Sequence, residues 1–312
     1  MDENERLELY LYISGVRLEG RNKVYIVDNA VILAAGTASR FAPLSYEQPK
    51  ALISVKGEIL LERQIRQLQE AGIPEIYIVV GYQAEKFNYL KQKFGVHLVY
   101  NPDYLIRNNN ASIYVVRDIL KNTYICSADN YFSKNPFERE VSDCYYAAVY
   151  ADGPTKEWCM QYSKDGTVCD VQIGGENAWY MLGHTFWDEA FSKRFVEILE
   201  QEYELPETAD LLWESIYIKY LDELKMKIRM YEKTMIFEFD TLDELREFDT
   251  TYVDDTRSDI LKNVAGQLRC RERDLVNIVS YRDDTNEAAG FTFLYGDTQY
   301  AYAYKEKVLR RI

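Results

Sequence analysis

The chain has 312 residues, of which 47% are hydrophobic, and a formal net charge of −14 at pH 7. This charge argues against nucleic acid as a partner, because phosphate backbones bind to basic surfaces. No apolar run approaches the roughly 18 residues that span a bilayer, and the first residues do not form a signal peptide, so we expect a cytoplasmic protein without membrane insertion.

The first 28 residues are predicted to form a leader of unknown role. Within it, residues 7–13 and 23–27 have the apolar character of short strands. From residue 29 strands and helices alternate, which is typical of a parallel sheet with right-handed crossovers. The predicted strands are 30–34, 76–80, 96–100 and 124–128, and the predicted helices are 59–71, 83–93 and 111–121.

The pattern changes after residue 143. Four antiparallel strands are predicted at 145–150, 159–162, 168–173 and 180–186, and helices at 188–203 and 207–222. A strand at 237–240 and a helix near 241–249 close the domain. We therefore predict an α/β fold over residues 29–252: a Rossmann-like, mixed and mainly parallel sheet flanked by helices.

Residues 253–312 are predicted to form a small C-terminal α+β domain of unknown role. A helix is expected over 258–268, and a hairpin over 291–295 and 298–304 around the turn Gly296-Asp297. The alternating aromatic residues of the hairpin favour a packing face rather than a ligand platform: 291, 293, 295, 300, 302 and 304.

Cysteine and histidine usage narrows the possible chemistry. The five cysteines are odd in number and form no C-x-x-C pair, which is typical of free thiols in a reducing compartment. Only His97 and His184 are present, so a Ser-His-Asp hydrolase or a histidine-rich zinc site is not expected.

The most informative segment runs from Val31 to Lys50. A buried strand ends in small residues whose N–H groups can approach a polyphosphate closely: Leu33, Ala34, Ala35 and Gly36. Arg40 and Lys50 then supply the positive charges that a triphosphate needs. The Walker loop and the dinucleotide-binding fingerprint are both excluded, because their glycine and lysine spacing is not met.

Other candidate residues follow the remaining predicted strands, at the carboxyl edge where ligands bind in such sheets. Gly81 and Tyr82 are positioned to meet a base. Asn109, Ser112 and Ala128 are further candidate nucleotide-binding residues, although part of the Asn108–Asn110 run is expected to cap a helix. Asp129 ends the fourth strand, where a Mg²⁺ ligand is expected because hard cations take oxygen ligands.

The second half contributes an aromatic and acidic set that suits a quaternary ammonium, which is recognised by aromatic faces and a nearby carboxylate. Composition alone favours the alternative that most of these rings lie in the core. The candidate substrate-binding residues are Glu157, Trp158, Tyr180, Trp187, Asp210 and Trp213.

The segment 33–50 resembles the loop L-A-A-G-x-G-x-R…P-K of sugar-phosphate and cholinephosphate nucleotidylyltransferases. Ala38 stands where that family usually has its second glycine, and alanine tolerates a positive φ poorly. Over about residues 30–248 the chain is similar to bacterial CTP:phosphocholine cytidylyltransferases. The shared segments include Val80-Gly81-Tyr82, Ala128-Asp129-Asn130-Tyr131, Glu157-Trp158, Phe186-Trp187-Asp188 and Leu212-Trp213-Glu214.

This resemblance implies a Mg²⁺-dependent enzyme that joins CTP and phosphocholine, with the metal on Asp129 and Glu214. It also assigns Arg40 to the departing phosphates and Lys50 to the acceptor and α-phosphates. The family has Asp and Tyr where this chain has Glu214 and Leu212, which leaves choline less certain than cytidylyl transfer.

Three alternatives remain open from the sequence. A sugar-1-phosphate nucleotidylyltransferase shares the loop and the metal site, phosphoethanolamine or 2-aminoethylphosphonate can replace phosphocholine as acceptor, and a related domain can bind nucleotide only to regulate. The C-terminal segment faintly resembles the first strands of a choline-kinase-like lobe, but without that enzyme's catalytic residues no kinase activity is expected.

Overall fold

A computed structural model describes residues 16–19, 22–284 and 288–312 of the chain. The strand predicted at 7–13 lies outside the described residues. None of the helices in the described part is long and apolar enough to cross a membrane.

The strands are, in chain order, β1 (Val16–Glu19), β2 (Asn22–Ile26), β3 (Asn29–Ala34), β4 (Ser54–Val55), β5 (Glu58–Ile59), β6 (Glu75–Val80), β7 (His97–Tyr100), β8 (Thr123–Ser127), β9 (Asn130–Phe132), β10 (Glu140–Val141), β11 (Tyr145–Tyr162), β12 (Val168–Trp187), β13 (Lys227–Tyr231), β14 (Ile236–Glu238), β15 (Leu275–Arg282), β16 (Ala288–Tyr295), β17 (Thr298–Ala303) and β18 (Val308–Arg311). The helices are α1 (Leu44–Glu47), α2 (Leu60–Glu70), α3 (Tyr89–Phe94), α4 (Asn110–Tyr114), α5 (Glu189–Tyr203), α6 (Trp213–Lys219), α7 (Leu242–Phe248) and α8 (Asp259–Leu268).

The chain divides into two compact units, Met1–Gly36 with Leu61–Glu238 and Thr37–Leu60 with Phe239–Ile312. This division differs from the predicted boundaries at 28/29 and 252/253. Residues 37–60 lie near the beginning of the predicted catalytic domain, yet they form one unit with the C-terminal part of the chain. Sequence order does not reveal such an exchange, because the contacts that create it join positions far apart in the chain.

The first unit contains a seven-stranded sheet in the order β13-β11-β12-β8-β3-β6-β7. All neighbouring strands are parallel except for β12, which is antiparallel to both of its neighbours. The interior strand β3 is completely buried at Ala30, Val31 and Ile32, as expected for a strand covered on both faces. The predicted mixed, mainly parallel α/β sheet is confirmed.

The prediction for the antiparallel part was wrong in detail. The four short strands predicted between 145 and 186 are two long paired strands, β11 and β12, which run through several bulges. Bulges add unpaired residues without ending the ladder. The polar composition of 151–158 therefore reflects the exposure of this extended hairpin rather than a break in it.

Three predicted helices are shorter than expected. The helix predicted at 111–121 is α4 followed by a 3₁₀ turn at Arg117–Ile119, and 83–93 is a 3₁₀ turn at Ala84–Phe87 followed by α3. In place of 207–222 there is a turn at Pro206–Thr208 and then α6. Apolar spacing alone does not distinguish one helix from two short helical turns.

The second unit contains the four-stranded antiparallel sheet β15-β16-β17-β18 together with α1, α7 and α8. The predicted hairpin is β16 and β17, and Phe291, Phe293, Tyr302 and Tyr304 are buried, which confirms the packing face. The outer strands β15 and β18 were not predicted. Their exposed apolar residues and scattered charges lack the alternation that indicated the inner pair.

Candidate active site

Three strand ends of the large sheet are joined by backbone hydrogen bonds at its carboxyl edge. The Tyr82 N–H donates to the Ala35 carbonyl at 3.0 Å, and the Ala128 N–H donates to the Leu33 carbonyl at 3.2 Å. The structure therefore brings the ends of β3, β6 and β8 together. Their predicted nucleotide-binding residues share one edge.

Gly81 is required by this packing. A Cβ at this position would lie 2.6 Å from the Tyr104 ring and 2.9 Å from the Ala35 carbonyl oxygen, closer than side chains allow. The turn after β6 therefore fits against the end of β3 only without a side chain. Gly81 has a structural reason to be glycine, and its contact with a base stays a prediction.

Asn109 is the N-cap residue of α4 but makes no side-chain capping hydrogen bond, which corrects the capping expectation for this residue, while Asn108 Oδ1 accepts from the Asn109 N–H at 2.8 Å. The side-chain amides of all three asparagines reach to residues 208–214. Asn108 Nδ2 donates to the Asp210 carbonyl at 3.0 Å, and Asn110 Nδ2 donates to the carbonyls of Thr208 and Leu211. Asn109 is the most central, since its Oδ1 accepts from the Trp213 N–H at 2.7 Å and its Nδ2 donates to Glu214 Oε2 at 3.2 Å.

Ser112 and Asp210 are also occupied within the protein. The buried Ser112 hydroxyl accepts a hydrogen bond from Asn101 Nδ2 at 3.1 Å, so its predicted role toward nucleotide has no support from the contacts. Asp210 is exposed and is fixed through its carbonyl by Asn108.

Glu214 lies in the first turn of α6 and is held from two sides. Its carboxylate accepts hydrogen bonds from Asn109 Nδ2 and from the Tyr146 hydroxyl, both at 3.2 Å. Although the residue keeps some exposure, the surrounding protein raises the pKa of Glu214 to about 7, because desolvation outweighs these hydrogen bonds. A cation beside this carboxylate would remove the imbalance.

Asp129, between β8 and β9, and Glu214 were predicted to hold Mg²⁺. Their carboxylates are the donor type that this ion prefers, since Mg²⁺ is usually bound by one or two carboxylates, with substrate phosphates and water completing its shell. Among the described residues no group of three or more His, Cys, Asp or Glu side chains is arranged to hold a metal ion. Binding of Mg²⁺ by Asp129 and Glu214 stays a prediction.

An aromatic and acidic group lies on the extended hairpin. Tyr180 of β12 pairs in register with Cys159, next to Trp158 on β11. Burial first, and then the negative charges of Glu157 and Glu238, raise the pKa of Tyr180. Trp158 is half-buried and Glu157 is exposed. Tyr180 thus lies near two carboxylates, as a cation site requires, and Trp158 follows Glu157 in β11.

Two of the predicted aromatic residues lie in the core, which corrects the expectation that their faces line a pocket. Trp187 is completely buried and packs against Phe191, Phe195 and Trp213. Trp213 is 2% exposed and also packs against Phe195 and against the Tyr146 ring, which is stacked on it at 5.8 Å. Large aromatic rings from β11, β12, α5 and α6 form the apolar centre here.

The two predicted catalytic cations lie in the second unit and share one carboxylate. Arg40 Nη1 is 2.7 Å from Asp240 Oδ2, and Lys50 Nζ is 3.7 Å from Asp240 Oδ1. Lys50 is 7% exposed and its ammonium lies over the Phe41 ring at 5.6 Å, whereas Arg40 is 73% exposed. Ala38, which precedes the 3₁₀ turn Ser39–Phe41, adopts the left-handed conformation with φ 46° and ψ 46°.

Sequence reasoning did not single out Asp240, Glu238 or Tyr146. The signal for the two acids was present, because Phe237-Glu-Phe-Asp240 alternates apolar and acidic residues and so places both acids on one face of a strand. Tyr146 gave no such signal, since its position in an apolar run is that of a core residue.

A cavity of about 810 Å³ lies elsewhere, at the amino ends of β11 and β13. Tyr145 and Lys227, the first residues of these strands, help to line it. Ligands of such sheets bind at the carboxyl ends, so we do not assign the nucleotide to this cavity.

Comparison with known proteins identifies the fold and the family. Residues 30–151 match the MobA-like NTP transferase domain. The choline-phosphate cytidylyltransferase of Streptococcus pneumoniae is 36% identical over 220 residues, which cover 70% of this chain and 96% of the relative. The chain belongs to the MobA-like NTP transferases. It is therefore a nucleotidyltransferase.

Other relatives of this nucleotidyltransferase differ in the acceptor that their names record. The 2-aminoethylphosphonate cytidylyltransferase of Lancefieldella rimae is 35% identical over 230 residues, covering 72% of this chain and 93% of the relative. Among solved structures, the CTP:phosphocholine cytidylyltransferase of Streptococcus pneumoniae superposes with a TM-score of 0.70 at 36% identity and covers 72% of this chain and 99% of that one. A putative glucose-1-phosphate thymidylyltransferase of Bacillus anthracis, 16% identical with a TM-score of 0.58, shares the fold.

Proposed function

We propose that this nucleotidyltransferase is a Mg²⁺-dependent cytidylyltransferase that converts CTP and phosphocholine into CDP-choline and pyrophosphate. The observation that carries the choline assignment is the Tyr180 ring near the carboxylates of Glu157 and Glu238, with Trp158 next to Glu157 in the chain. A trimethylammonium has no hydrogen-bond donor, so aromatic faces and nearby carboxylates are the groups able to recognise it. The name of the Streptococcus pneumoniae relative, a choline-phosphate cytidylyltransferase, supports the same substrate.

The proposed reaction is a direct displacement. A phosphate oxygen of phosphocholine forms a bond to the α-phosphorus of CTP, and the bond from that phosphorus to the β-phosphate bridge oxygen breaks, which releases pyrophosphate. The protein's contribution is positioning and charge neutralisation. Lys50 is assigned to the acceptor and α-phosphates, and Arg40 to the departing β- and γ-phosphates.

Asp129 and Glu214 are the residues proposed to hold Mg²⁺, which would stabilise negative charge on the phosphates when bound. Glu238 is a second carboxylate within electrostatic reach of Tyr146, the residue that donates to Glu214. Glu214→Gln and Glu238→Gln, each assayed over a range of Mg²⁺ concentrations, separate the two. The variant whose Mg²⁺ requirement rises identifies the metal ligand.

A second acceptor is favoured by a specific observation. The chain has Leu212 before Trp213, so the tyrosine of the choline enzymes is absent, and a relative of nearly equal identity is named for 2-aminoethylphosphonate. A site with fewer aromatic walls and the same carboxylates would bind a primary ammonium. Cytidylyl transfer itself is common to both acceptors.

One assay tests the proposal: purified protein and Mg²⁺ with CTP, UTP or ATP, offered phosphocholine, phosphoethanolamine, 2-aminoethylphosphonate or glucose-1-phosphate, with pyrophosphate release measured. We expect CTP with phosphocholine to give the highest kcat/KM. Preference for the phosphonate or for the sugar phosphate would contradict phosphocholine as the acceptor, whereas preference for UTP or ATP over CTP would contradict cytidylyl transfer.

Trp158→Ala tests the recognition site within that assay. Loss of a cation–π contact worth about 0.5–2 kcal/mol should raise KM for phosphocholine roughly 2- to 30-fold and leave KM for CTP nearly unchanged. Trp179→Ala is the matched control, because Trp179 packs against Tyr150 at 5.3 Å on the same hairpin. Equal effects of the two substitutions would remove Trp158 from the substrate site.

A further inference from the structure

The segment that carries Arg40 and Lys50 is built together with the C-terminal part of the chain. Residues 37–60 and 239–312 form one compact unit. The Streptococcus pneumoniae relative is matched over 96% of its own length by only 70% of this chain. Since the resemblance ends near residue 248, the C-terminal sheet has no counterpart in the matched part of that relative, which is nearly its whole length.

The first contact between the segment and the C-terminal sheet is aromatic. The rings of Tyr46, in α1, and Tyr304, after β17, are stacked with centroids 3.8 Å apart and an interplanar angle of 10°. Tyr304 is buried and packs against Phe291 in the core of the four-stranded sheet. The stack therefore attaches α1 to the apolar centre of the C-terminal sheet.

The second contact joins α1 to α8. Glu47, the last residue of α1, accepts a hydrogen bond through Oε1 from the Ile260 N–H at 3.1 Å. Ile260 lies in the first turn of α8, where free N–H groups and the helix dipole favour a carboxylate. Glu47 thus satisfies a backbone donor of α8 that the helix itself leaves unpaired.

The third contact lies on the other side of Lys50. The Ser54 carbonyl accepts hydrogen bonds from Arg257 Nη1 at 2.8 Å and from the Tyr252 hydroxyl at 2.6 Å. Lys50 opens the 3₁₀ turn Lys50–Leu52, between Glu47 and Ser54. The backbone of Lys50 is therefore fixed on both sides by residues from the C-terminal part of the chain.

We propose that residues 253–312 act as a positioning module for the catalytic segment, and that Tyr304 is its principal positioning residue. The proposal rests on the proposed function, in which Lys50 contacts the reacting phosphates. Tyr304 acts on the reaction only through α1 and the turn that follows it. Holding a charged group to within a fraction of an ångström is what such a support contributes to catalysis.

The test compares Tyr304→Ala, Tyr304→Phe and Tyr300→Ala in the full chain. Displacing a group by about 1 Å can cost up to roughly 100-fold in rate, so Tyr304→Ala should lower kcat about tenfold or more and change KM for phosphocholine little. Tyr304→Phe keeps the stacking ring and should retain wild-type kcat. Tyr300 stacks on Phe293 within the sheet at 5.6 Å, so Tyr300→Ala controls for loss of a tyrosine in this sheet.

A second variant covers the case in which Tyr304→Ala fails to fold. Tyr46→Ala removes the same stack from the side of the catalytic segment, and Tyr46 is 39% exposed, so its loss costs little core packing. It should lower kcat to a similar extent. Wild-type kcat in Tyr46→Ala, or in a folded Tyr304→Ala, would overturn the positioning role and leave the sheet a separate addition.

A double-substitution cycle separates this proposal from the proposed function. If Tyr304 acts through Lys50, Tyr304→Ala should have little further effect on kcat in a Lys50→Ala background. Full additivity would overturn the proposal while Lys50 keeps its role. If Lys50→Ala alone leaves kcat unchanged, the role of Lys50 in the proposed function fails, and a loss in Tyr304→Ala then contradicts action through Lys50.

Discussion

Lys50 and Arg40 share Asp240 but differ in how strongly they are fixed. Lys50 is almost completely buried beside the Phe41 ring, whereas Arg40 is mostly exposed at the protein surface. A buried ammonium loses little conformational freedom when it meets a substrate, so its charge is already in place. An exposed arginine must be ordered each time a ligand binds.

Lys50→Ala should therefore reduce kcat more than Arg40→Ala. Removal of one fixed electrostatic contact typically costs about 10²–10³ in rate. Steady-state kinetics with CTP and phosphocholine measure this, and Lys164→Ala, in the exposed turn after β11, is the control. If Lys50→Ala kept more than half of the wild-type kcat, Lys50 would not contact the reacting phosphates.

Ala38 shows backbone strain at a position where the related loops have glycine. An L-residue in the left-handed region costs roughly 1–2 kcal/mol relative to the right-handed one. Glycine removes that cost, but it also increases the entropy of the unfolded chain, which lowers the free energy of unfolding by about 0.4–1 kcal/mol. The loop keeps its left-handed residue in spite of the alanine, so the surrounding turn determines this conformation.

Ala38→Gly is accordingly expected to stabilise the protein by up to about 1.5 kcal/mol. Ala209→Gly, at a residue with φ −55°, removes no strain and should destabilise by about 0.5–1 kcal/mol. Urea unfolding monitored by circular dichroism compares the two variants with the wild type. Equal losses in both would show that the strain at residue 38 is negligible.

At the scale of elements, the large sheet was predicted from sequence and the connections around the site were not. The strands β3, β6, β7 and β8 were predicted because each is a short continuous apolar run, which is a local signal of a buried strand. The Asn108–Asn110 run was expected to cap a helix, because capping is local, and instead it binds residues about a hundred positions later. No local pattern encodes such a partner.

Asn109→Asp separates the two bonds of that side chain. The new carboxylate still accepts from the Trp213 N–H but loses the hydrogen bond to Glu214 and repels it, so stability should fall and Glu214 should be displaced. A displacement of about 1 Å can cost up to roughly 100-fold in rate, so kcat should fall about tenfold or more. Asn108→Ala, which removes one bond from an exposed side chain to the same segment, should retain wild-type kcat. Equal kcat values in Asn109→Asp and the wild type would exclude this role for Asn109.

β12 carries a buried histidine whose charge state links stability to pH. His184 is completely buried among aromatic rings, with Nε2 2.8 Å from the Tyr145 hydroxyl, and burial lowers the pKa of His184 to about 3. In the unfolded chain its pKa is about 6.5. Between these values only the unfolded state binds the proton, so stability falls as the pH decreases from about 6.5.

His184→Gln should remove that dependence. The wild type is expected to lose about 1.4 kcal/mol per pH unit more than the variant between roughly pH 6 and 4, the slope for one proton. Urea midpoints across this range measure the difference. His97→Gln, at the other histidine of the chain, is the control, because that ring is half exposed. Parallel pH profiles for wild type and His184→Gln would show that His184 is charged in the native state.

At the scale of the whole molecule, the division into two units changes the expected role of the C-terminal residues. A boundary at 252/253 implies that residues 253–312 are a separate appendage. The second unit instead joins these residues to 37–60, which lie before α2 in the chain. Net charge is likewise a property of the whole chain that does not describe the site. The chain carries −14 overall, yet Lys50 and Arg40 lie together beside Asp240.

Deletion of residues 253–312 should consequently abolish most activity even though the region similar to the cytidylyltransferases is kept. The deletion removes the partners of Tyr46 and Glu47 and one of the two partners of Ser54, Arg257, together with the buried Phe291 and Phe293. Deletion of 308–312 removes only the edge strand β18 and leaves those contacts in place, so it is the matched control. We expect the long deletion to lower both Tm and kcat and the short one to leave kcat close to wild type. Full activity of a folded 1–252 variant would show that segment 37–60 holds its catalytic conformation without the C-terminal sheet, because every added contact would then be dispensable.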